Sequence, residues 1–474
     1  MISIPQQKQD LCYFSAEELL FCYKNKTVSP LEVTKEIFKR VEKVDGVLNA
    51  FAFVNEEKAL SAAMSSEKRW HRKSPRGLLD GVPVTIKDLV TCKDWLIKRG
   101  SRIQVDGALQ IDSPAVARLR ENNAIFIGST TTPEFGWKGV TDSPLSGVTR
   151  NPWDLSKTPG GSSGGAAVAA ALGLSPLHIG TDGGGSLRIP ASFTGVFGFK
   201  ATSGRVPIFP ENFLGTLSHV GPMTRSVSDA ALMMNVITQP DARDWYALPF
   251  DDYNYLFDDG RLPENLKIAF SQNLGYAKVS EEVARVVSSA VNGLSEKHVL
   301  VEEVAPPFSS PLNVFNIHWY AAFHRFISKF TEEQRAILDP ELTEVYNDGA
   351  SISLADYQRV IEERVKLGQI MNLFHETYDL LLTPTLPISA FSAGQSVENP
   401  GEQNRWPDWS PFSYPFNLTG QPACSVPCGF TDSGLPVGLQ IIGPRYKDDL
   451  VLNFAKYVTD LYPFKAPQLK DTIN

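Results

Sequence analysis

The chain has 474 residues, 42% hydrophobic and 21% charged, with a formal net charge of −8. It is long enough for a large core, and its acidic balance argues against nucleic acid as a direct partner, because phosphate binding wants a basic surface. Its five cysteines, Cys12, Cys22, Cys92, Cys424 and Cys428, fit neither a disulfide framework nor a zinc site, so buried thiols and no metal are expected.

Met1–Asp10 is polar and lacks the apolar core of a secretory signal. No run reaches the roughly 20 apolar residues of a membrane span, so a soluble, cytoplasmic protein with no membrane partner is expected. Ser29-Pro30-Leu31-Glu32 reads as a helix start, with Ser29 as N-cap, Pro30 in the first turn and Glu32 closing a capping box. Val33, Ile37, Val41 and Val44 repeat at helical spacing behind it, and a second helical pattern runs over 56–72. These two predict an amphipathic N-terminal helical arm, about 1–74, with no visible chemistry. Downstream, the short apolar segments 81–88, 124–128, 177–180 and 196–199 predict strands, with a helix beginning at Ser113-Pro114. Strand-like segments also cover 266–270, 299–304, 379–382, 424–428 and 439–442, and helical patterns lie near 281–297, 312–330, 355–376 and 448–461. The alternation predicts an α/β layer fold. It reads as one domain over 1–474, with a catalytic core from about 75 onward and a large mixed sheet. The polar, Pro-rich stretch 392–415 is the longest loop candidate, and such loops often form functional rims.

One stretch stands apart. From Lys157 to Lys200 the sequence is nearly uncharged and rich in Gly, Ser and Ala, with clusters at Gly160–Gly165 and Thr181–Ser186. Each glycine costs backbone entropy and buries little, so the two clusters read as halves of one catalytic site. No Gly-x-x-x-x-Gly-Lys-Ser/Thr string occurs, which argues against a phosphate-binding loop. The spacing of a dinucleotide fingerprint is absent too, and Lys157-Thr158-Pro159 is no strand. Gly161-x-Ser163-x-Gly165 matches a nucleophile elbow, but that motif needs a strand leading into the serine and a later histidine as base. His178 reads as a core residue within a strand, and His219, near a Gly-Pro turn, as pocket lining.

What remains is a serine hydrolase without histidine. A Ser hydroxyl needs a neighbouring base, and lysine serves only when neutral, which burial favours. Lys87 is the candidate because it ends the apolar run Val82–Ile86. Pairing with the adjacent Asp88 at the surface is the alternative, and spacing alone leaves the two even.

Several motifs then occur in order over most of the chain: Gly81-Val82-Pro83-Val84-Thr85-Ile86-Lys87-Asp88, Pro159–Gly165, Gly180–Ala191, Gly195–Lys200, Gly221-Pro222-Met223-Thr224-Arg225 and Gly434–Gln440. Together they resemble the amidase signature family of Ser-cisSer-Lys hydrolases. The resemblance implies an α/β amidase-signature fold, a large mixed central sheet covered by helices on both faces. It implies Ser186 as nucleophile, Ser162 on a cis peptide after Gly161 as proton relay, and Lys87 as the base that returns the proton to the leaving amine. Gly183, Gly184, Gly185 and Ser186 would aim N–H groups at the developing oxyanion, each such donor typically worth about 2.7–4 kcal/mol. Ser163, Asp182 and Arg188 match positions that hold the loops by hydrogen bonds, and no cofactor is implied. Gly183 stands where relatives often carry a larger residue, which implies a roomier pocket on that side.

The family shares its fold but not its substrate. Phe135 and Trp137 within Thr132–Trp137, Phe209, His219, Trp319, Tyr320 and the 406–416 loop are candidate pocket walls. Their aromatic character points to a small, neutral, partly apolar amide, anilide, carbamate or ester hydrolysed through an acyl-enzyme. The alternative is the glutaminase-type subunit of a tRNA-dependent amidotransferase. Such subunits tend to carry Ser-Leu-Asp-Gln where this chain has Thr216-Leu217-Ser218-His219. An inactive binding protein on this scaffold is a third reading, although all three catalytic positions are intact. A homodimer is the assembly considered.

Overall fold

A computed structural model describes residues 10–104, 107–250, 253–256, 262, 265–295 and 299–468. In the first half, strands form as β1 (Phe51–Val54), β2 (Pro83–Lys87), β3 (Ile125–Thr130), β4 (Asp142–Ser143), β5 (Gly147–Val148), β6 (Leu177–Asp182) and β7 (Phe197–Lys200). They are followed by β8 (His219–Thr224), β9 (Ile268–Phe270), β10 (Val301–Glu303), β11 (Leu380–Pro384), β12 (Ala423–Phe430) and β13 (Pro436–Ile442). β4 and β5 pair apart; the rest make one 11-stranded sheet in the order β1-β3-β2-β6-β8-β7-β12-β13-β11-β9-β10. Two blocks, β3-β2-β6 and β11-β9-β10, are parallel. The remaining neighbours are antiparallel, so the sheet is mixed as expected.

The period of two in β2 sorts its side chains between two environments. Val84 and Ile86 face a core built with Leu177 and Ile179 of β6 and with the helices Val227–Ile237, Glu281–Ser295 and Asp448–Leu461. Thr85 and Lys87 alternate to the opposite face. Thr85 there donates to His178 Nδ1 at 2.7 Å, while His178 Nε2 gives its proton to the Ser175 carbonyl at 2.9 Å. Burial, then Arg225, pushes the pKa of His178 down to about 3, so it is the satisfied core residue anticipated from the sequence. The helices Gly164–Ala171 and Arg188–Thr194 cover this second face. Ala166, Ala167, Ala170 and Ala191 form a core of small side chains with Met223 of β8. Small residues let these helices sit close, which brings the Gly-Ser segments ahead of them onto the strand ends.

At the N-terminus, Ser29 Oγ accepts the Glu32 N–H at 3.2 Å and Glu32 accepts the Ser29 N–H at 2.8 Å, forming the expected capping box on Pro30–Leu48. The helix Glu56–His71 follows. Between them β1 runs antiparallel to β3 at the sheet edge, so the stretch read as purely helical also supplies a strand. Four residues give too short an alternation to register as one. Gly128 of β3 makes that pairing possible, since a Cβ there would lie 2.2 Å from the Phe53 carbonyl oxygen. Gly128→Ala is therefore expected to lower stability by about 1–3 kcal/mol through overpacking, measured by urea unfolding; an unchanged midpoint would contradict the β1–β3 contact.

Candidate active site

Lys87 closes β2 and is fully buried. Its Nζ lies 2.7 Å from Ser162 Oγ, 2.9 Å from Ser163 Oγ and 2.8 Å from Thr181 Oγ1. Asp88, the alternative surface partner, instead accepts the N–H groups of Lys98 and Gly100, each at 3.2 Å. Burial drives the Lys87 pKa well below its ordinary value, with Asp182 opposing the shift only in part. Ser163 joins the two Gly-Ser clusters: its hydroxyl donates to the Thr181 carbonyl at 3.1 Å and accepts the Thr181 N–H at 3.2 Å. The Gly161–Ser162 peptide is cis. Thr141 braces the turn on either side of it, donating to the Gly160 carbonyl at 2.8 Å and accepting the Gly164 N–H at 3.0 Å.

The second cluster is organised by one fully buried ion pair. Arg188 holds the Asp182 carboxylate through Nε and Nη2, both at 3.0 Å. Its remaining protons go to the Ser413 carbonyl and Gln440 Oε1, both at 2.8 Å, and to Asn417 Oδ1 at 2.7 Å. All five guanidinium N–H groups are thus engaged. Asp182 also accepts the Gly185 N–H at 2.7 Å, the Leu187 N–H at 3.2 Å and Asn417 Nδ2 at 2.8 Å. Burial by itself would raise the Asp182 pKa; Arg188, with Lys200 and Asn417, outweighs it and holds the carboxyl below its usual range. The turn before Ser186 is fixed by these bonds. Gly185 is required there, with φ +136 and a Cβ position only 2.4 Å from Ser413 Oγ.

Ser162, Thr181, Gly183 and Ser186 all open onto one cavity of about 270 Å³. Phe135, Phe209 and Trp319 line it. Trp137 and His219 do not, and both expectations are corrected. Phe135 adopts φ +52 and Gly136 φ +73, a reversal that carries Trp137 into the aromatic core, where it lies beside Lys138. In β8, Val220 stands opposite Thr181 and joins the cavity wall, whereas His219 stands opposite Asp182 and faces away. His219 Nδ1 lies 2.9 Å from the Leu217 carbonyl and 3.2 Å from that of Asp182. Burial, then Lys200, keeps this imidazole neutral by pushing its pKa well below the ordinary value. Tyr320 sits under the Arg405 guanidinium, and Trp406 and Trp409 belong to the core behind the cavity.

Two further expectations change at the glycine turn. The Gly185 N–H is committed to Asp182, so it does not join an oxyanion site. Among the described residues no acceptor takes the N–H groups of Gly183, Gly184 or Ser186. The extra room expected beside Gly183 is also already filled, since a Cβ there would meet Leu214 Cδ1 at 3.0 Å and Trp319 Cζ3 at 3.2 Å. Leu89, Gly136, Phe213, Leu214 and Phe326 complete walls that the sequence reading missed. A signal existed for Phe326, because Phe315, Trp319, Phe323 and Phe326 share one face of the helix Leu312–Ile327.

The family model described as Amidase matches residues 32–452. The chain belongs to the amidase signature family. An acylamidase of Rhodococcus erythropolis is 33% identical over 474 residues, covering 98% of this chain and 99% of the relative. A glutamyl-tRNA(Gln) amidotransferase subunit of Alkaliphilus metalliredigens is 32% identical, covering 91% of this chain and 93% of the relative. The crystal structure of a bacterial aryl acylamidase of the same family superposes with a TM-score of 0.87 at 31% identity, covering 95% of this chain and 97% of that one. This amidase signature protein is a hydrolase acting on amides. No helix among its described residues is long and apolar enough to cross a membrane.

Arg188→Leu would leave the Asp182 carboxylate buried and unpaired. It is expected to lower stability by about 3–5 kcal/mol, read from thermal unfolding. Arg188→Lys should fail to restore it, because an ammonium lacks the planar fork of donors; full recovery with lysine would contradict the role given to this geometry.

Proposed function

We propose that this chain is a stand-alone amidase that hydrolyses small, neutral, partly apolar amides through an acyl-enzyme on Ser186, with Ser162 and Lys87 moving the proton. The observation that carries this reading is the buried Lys87 Nζ, surrounded by three hydroxyls and joined through Ser162 to the cavity that also holds Ser186. A neutral lysine has two N–H donors and one lone pair. Ser163, whose own proton is committed to the Thr181 carbonyl, accepts one N–H, and Thr181 Oγ1 accepts the other. The lone pair is left for the Ser162 O–H, which orients Ser162 to take a proton in turn.

Ser186 Oγ then attacks the amide carbon while its proton passes to Ser162 and the Ser162 proton to Lys87. The carbonyl oxygen gains negative charge beside the N–H groups of Gly183, Gly184 and Ser186, each worth about 2.7–4 kcal/mol at this stage in comparable sites. Collapse of the adduct breaks the C–N bond, and the amine leaves with the proton returned from Lys87 through Ser162. A water molecule repeats the sequence on the resulting ester, releasing the carboxylic acid and restoring Ser186. A relay of neutral hydroxyls and a neutral amine suits so dry a site, where isolated charge is expensive.

The substrate class rests on the walls. Phe135, Phe209, Phe213, Trp319 and Phe326 offer apolar faces, with Arg99 and Glu211 adding one charge of each sign. The acylamidase and aryl acylamidase likenesses agree with anilides and simple acyl amides, and carbamates and esters fall within the same chemistry. The amidotransferase reading is favoured by a similar level of identity, and is weakened by Thr216-Leu217-Ser218-His219 leading into β8. The purified chain alone is expected to hydrolyse simple amides without glutamine or a partner; activity only with added partner chains would favour the amidotransferase reading.

Ser186→Ala should lower turnover by about 10³-fold or more with an unchanged circular dichroism spectrum, and retained turnover would end the assignment. Lys87→Met should lose activity with at most a modest change in melting temperature, because Ser163 keeps its bonds to Thr181 and the Ser162 and Thr181 hydroxyls border the cavity; a marked fall in melting temperature would point to a structural role. In the wild type, kcat/KM is expected to rise with pH as Lys87 loses its proton and to level off well below pH 10.5, the ordinary lysine value. A profile that is flat from pH 5 upward would contradict a lysine base.

A further inference from the structure

The walls near the reacting serines differ, and two glycines mark the difference. On one side is Gly136: a Cβ there would lie 2.7 Å from Leu89 Cδ1 and 3.4 Å from Ser162 Oγ. On the other is Gly183, whose Cβ position meets Leu214 Cδ1 and Trp319 Cζ3 at 3.0 and 3.2 Å. All six residues line the same cavity. The first group adjoins the hydroxyl that exchanges the proton, and the second adjoins the turn that carries the unengaged N–H groups.

We propose that the cavity divides at the reacting carbon, with the departing amine against Gly136, Leu89 and Phe135 and the acyl group against Gly183, Leu214 and Trp319, where Trp319 sets the upper size of the acyl group. This rests on the catalytic reading given above. The amine nitrogen must receive its proton from Ser162, so it lies on the Gly136 side. The carbonyl oxygen must face the turn from Gly183 to Ser186. The third substituent of the carbon is then directed away from Ser162, onto the wall made by Leu214 and Trp319.

Trp319 makes a firm limit because it has little freedom to move. It is 1% exposed, stacks on Phe315 with centroids 5.3 Å apart, meets Trp406 edge-on at 5.5 Å and touches Phe323 at 5.2 Å. On the amine side Phe135 is held against Phe326 and Phe330, but Leu89 is only half-buried, so that side yields at Leu89 and accommodates a wider range of groups. A glycine at 183 is what lets the indole edge stand so close to the turn; any side chain there would displace Trp319 or Leu214.

The test uses two substrate series: 4-nitroanilides of straight-chain acids from acetyl to octanoyl, and acetamides of amines of increasing size. In the wild type kcat/KM should fall steeply along the acyl series and shallowly along the amine series. Trp319→Leu, and Leu214→Ala as a substitution at a half-buried position, should raise the octanoyl-to-acetyl ratio of kcat/KM by about tenfold or more, since a few methylenes in an apolar pocket are worth that much. The relative preference among amines should stay as in the wild type. Leu89→Ala should do the reverse, shifting the amine series and leaving the acyl ratio unmoved. An acyl ratio unmoved by both Trp319→Leu and Leu214→Ala, or an amine series shifted by them, would overturn the division while leaving the catalytic reading intact. A wild type that hydrolyses neither series would overturn both.

Discussion

The structure depends on an amine kept dry. Among the described residues the hydrogen-bond partners of Lys87 Nζ are three hydroxyls, and the nearby carboxylate, Asp182, is saturated by Arg188, two backbone N–H groups and Asn417. An ammonium in such a place would lack a dedicated counter-charge, so burial favours the neutral form. In the proposed mechanism this supplies a base from a residue that in water would be useless as one. The neighbouring elements bury Nζ fully, and among the described residues no carboxylate forms an ion pair with it.

That arrangement comes from packing as much as from polar chemistry. The helices Gly164–Ala171 and Arg188–Thr194 carry mostly Gly, Ala and other small residues toward the sheet. A Cβ on Gly165 would already lie 2.5 Å from the Ala50 carbonyl oxygen, which shows how close the approach is. The two Gly-Ser turns sit just ahead of these helices, so close helix–sheet packing fixes their position relative to the end of β2. Arg188 then ties the turn before Ser186 to Ser413, Asn417 and Gln440, residues more than two hundred positions away in sequence. Distant segments of the chain are held in register by one guanidinium.

The sequence was most informative where local rules decide the outcome. The capping box at Ser29, the strand ending on Lys87 and the helices over 281–295, 312–327 and 448–461 follow from periodicity and turn chemistry. β8 was missed because Gly221 and Pro222 break any strand pattern; its pairing with β6 and β7 is a tertiary effect. The Gly-Ser clusters announced a site, but whether Lys87 faced Asp88 or the serines depended on which side of β2 was covered. The aromatic walls were the least legible part. Trp137 and His219 left the cavity for reasons of backbone direction, a left-handed Phe135 and a strand alternation, that no composition argument contains. Gly183 looked like added room, whereas Leu214 and Trp319, far away in the chain, had already taken it.

The central claim is that burial makes Lys87 give up its proton well below the pH at which an ordinary lysine does. Direct titration of its side-chain nitrogen by ¹⁵N NMR, with the resonance assigned by its loss in Lys87→Met, addresses this without reference to turnover. The account predicts a midpoint well below 10.5, the ordinary lysine value; a midpoint at or above that value would contradict it.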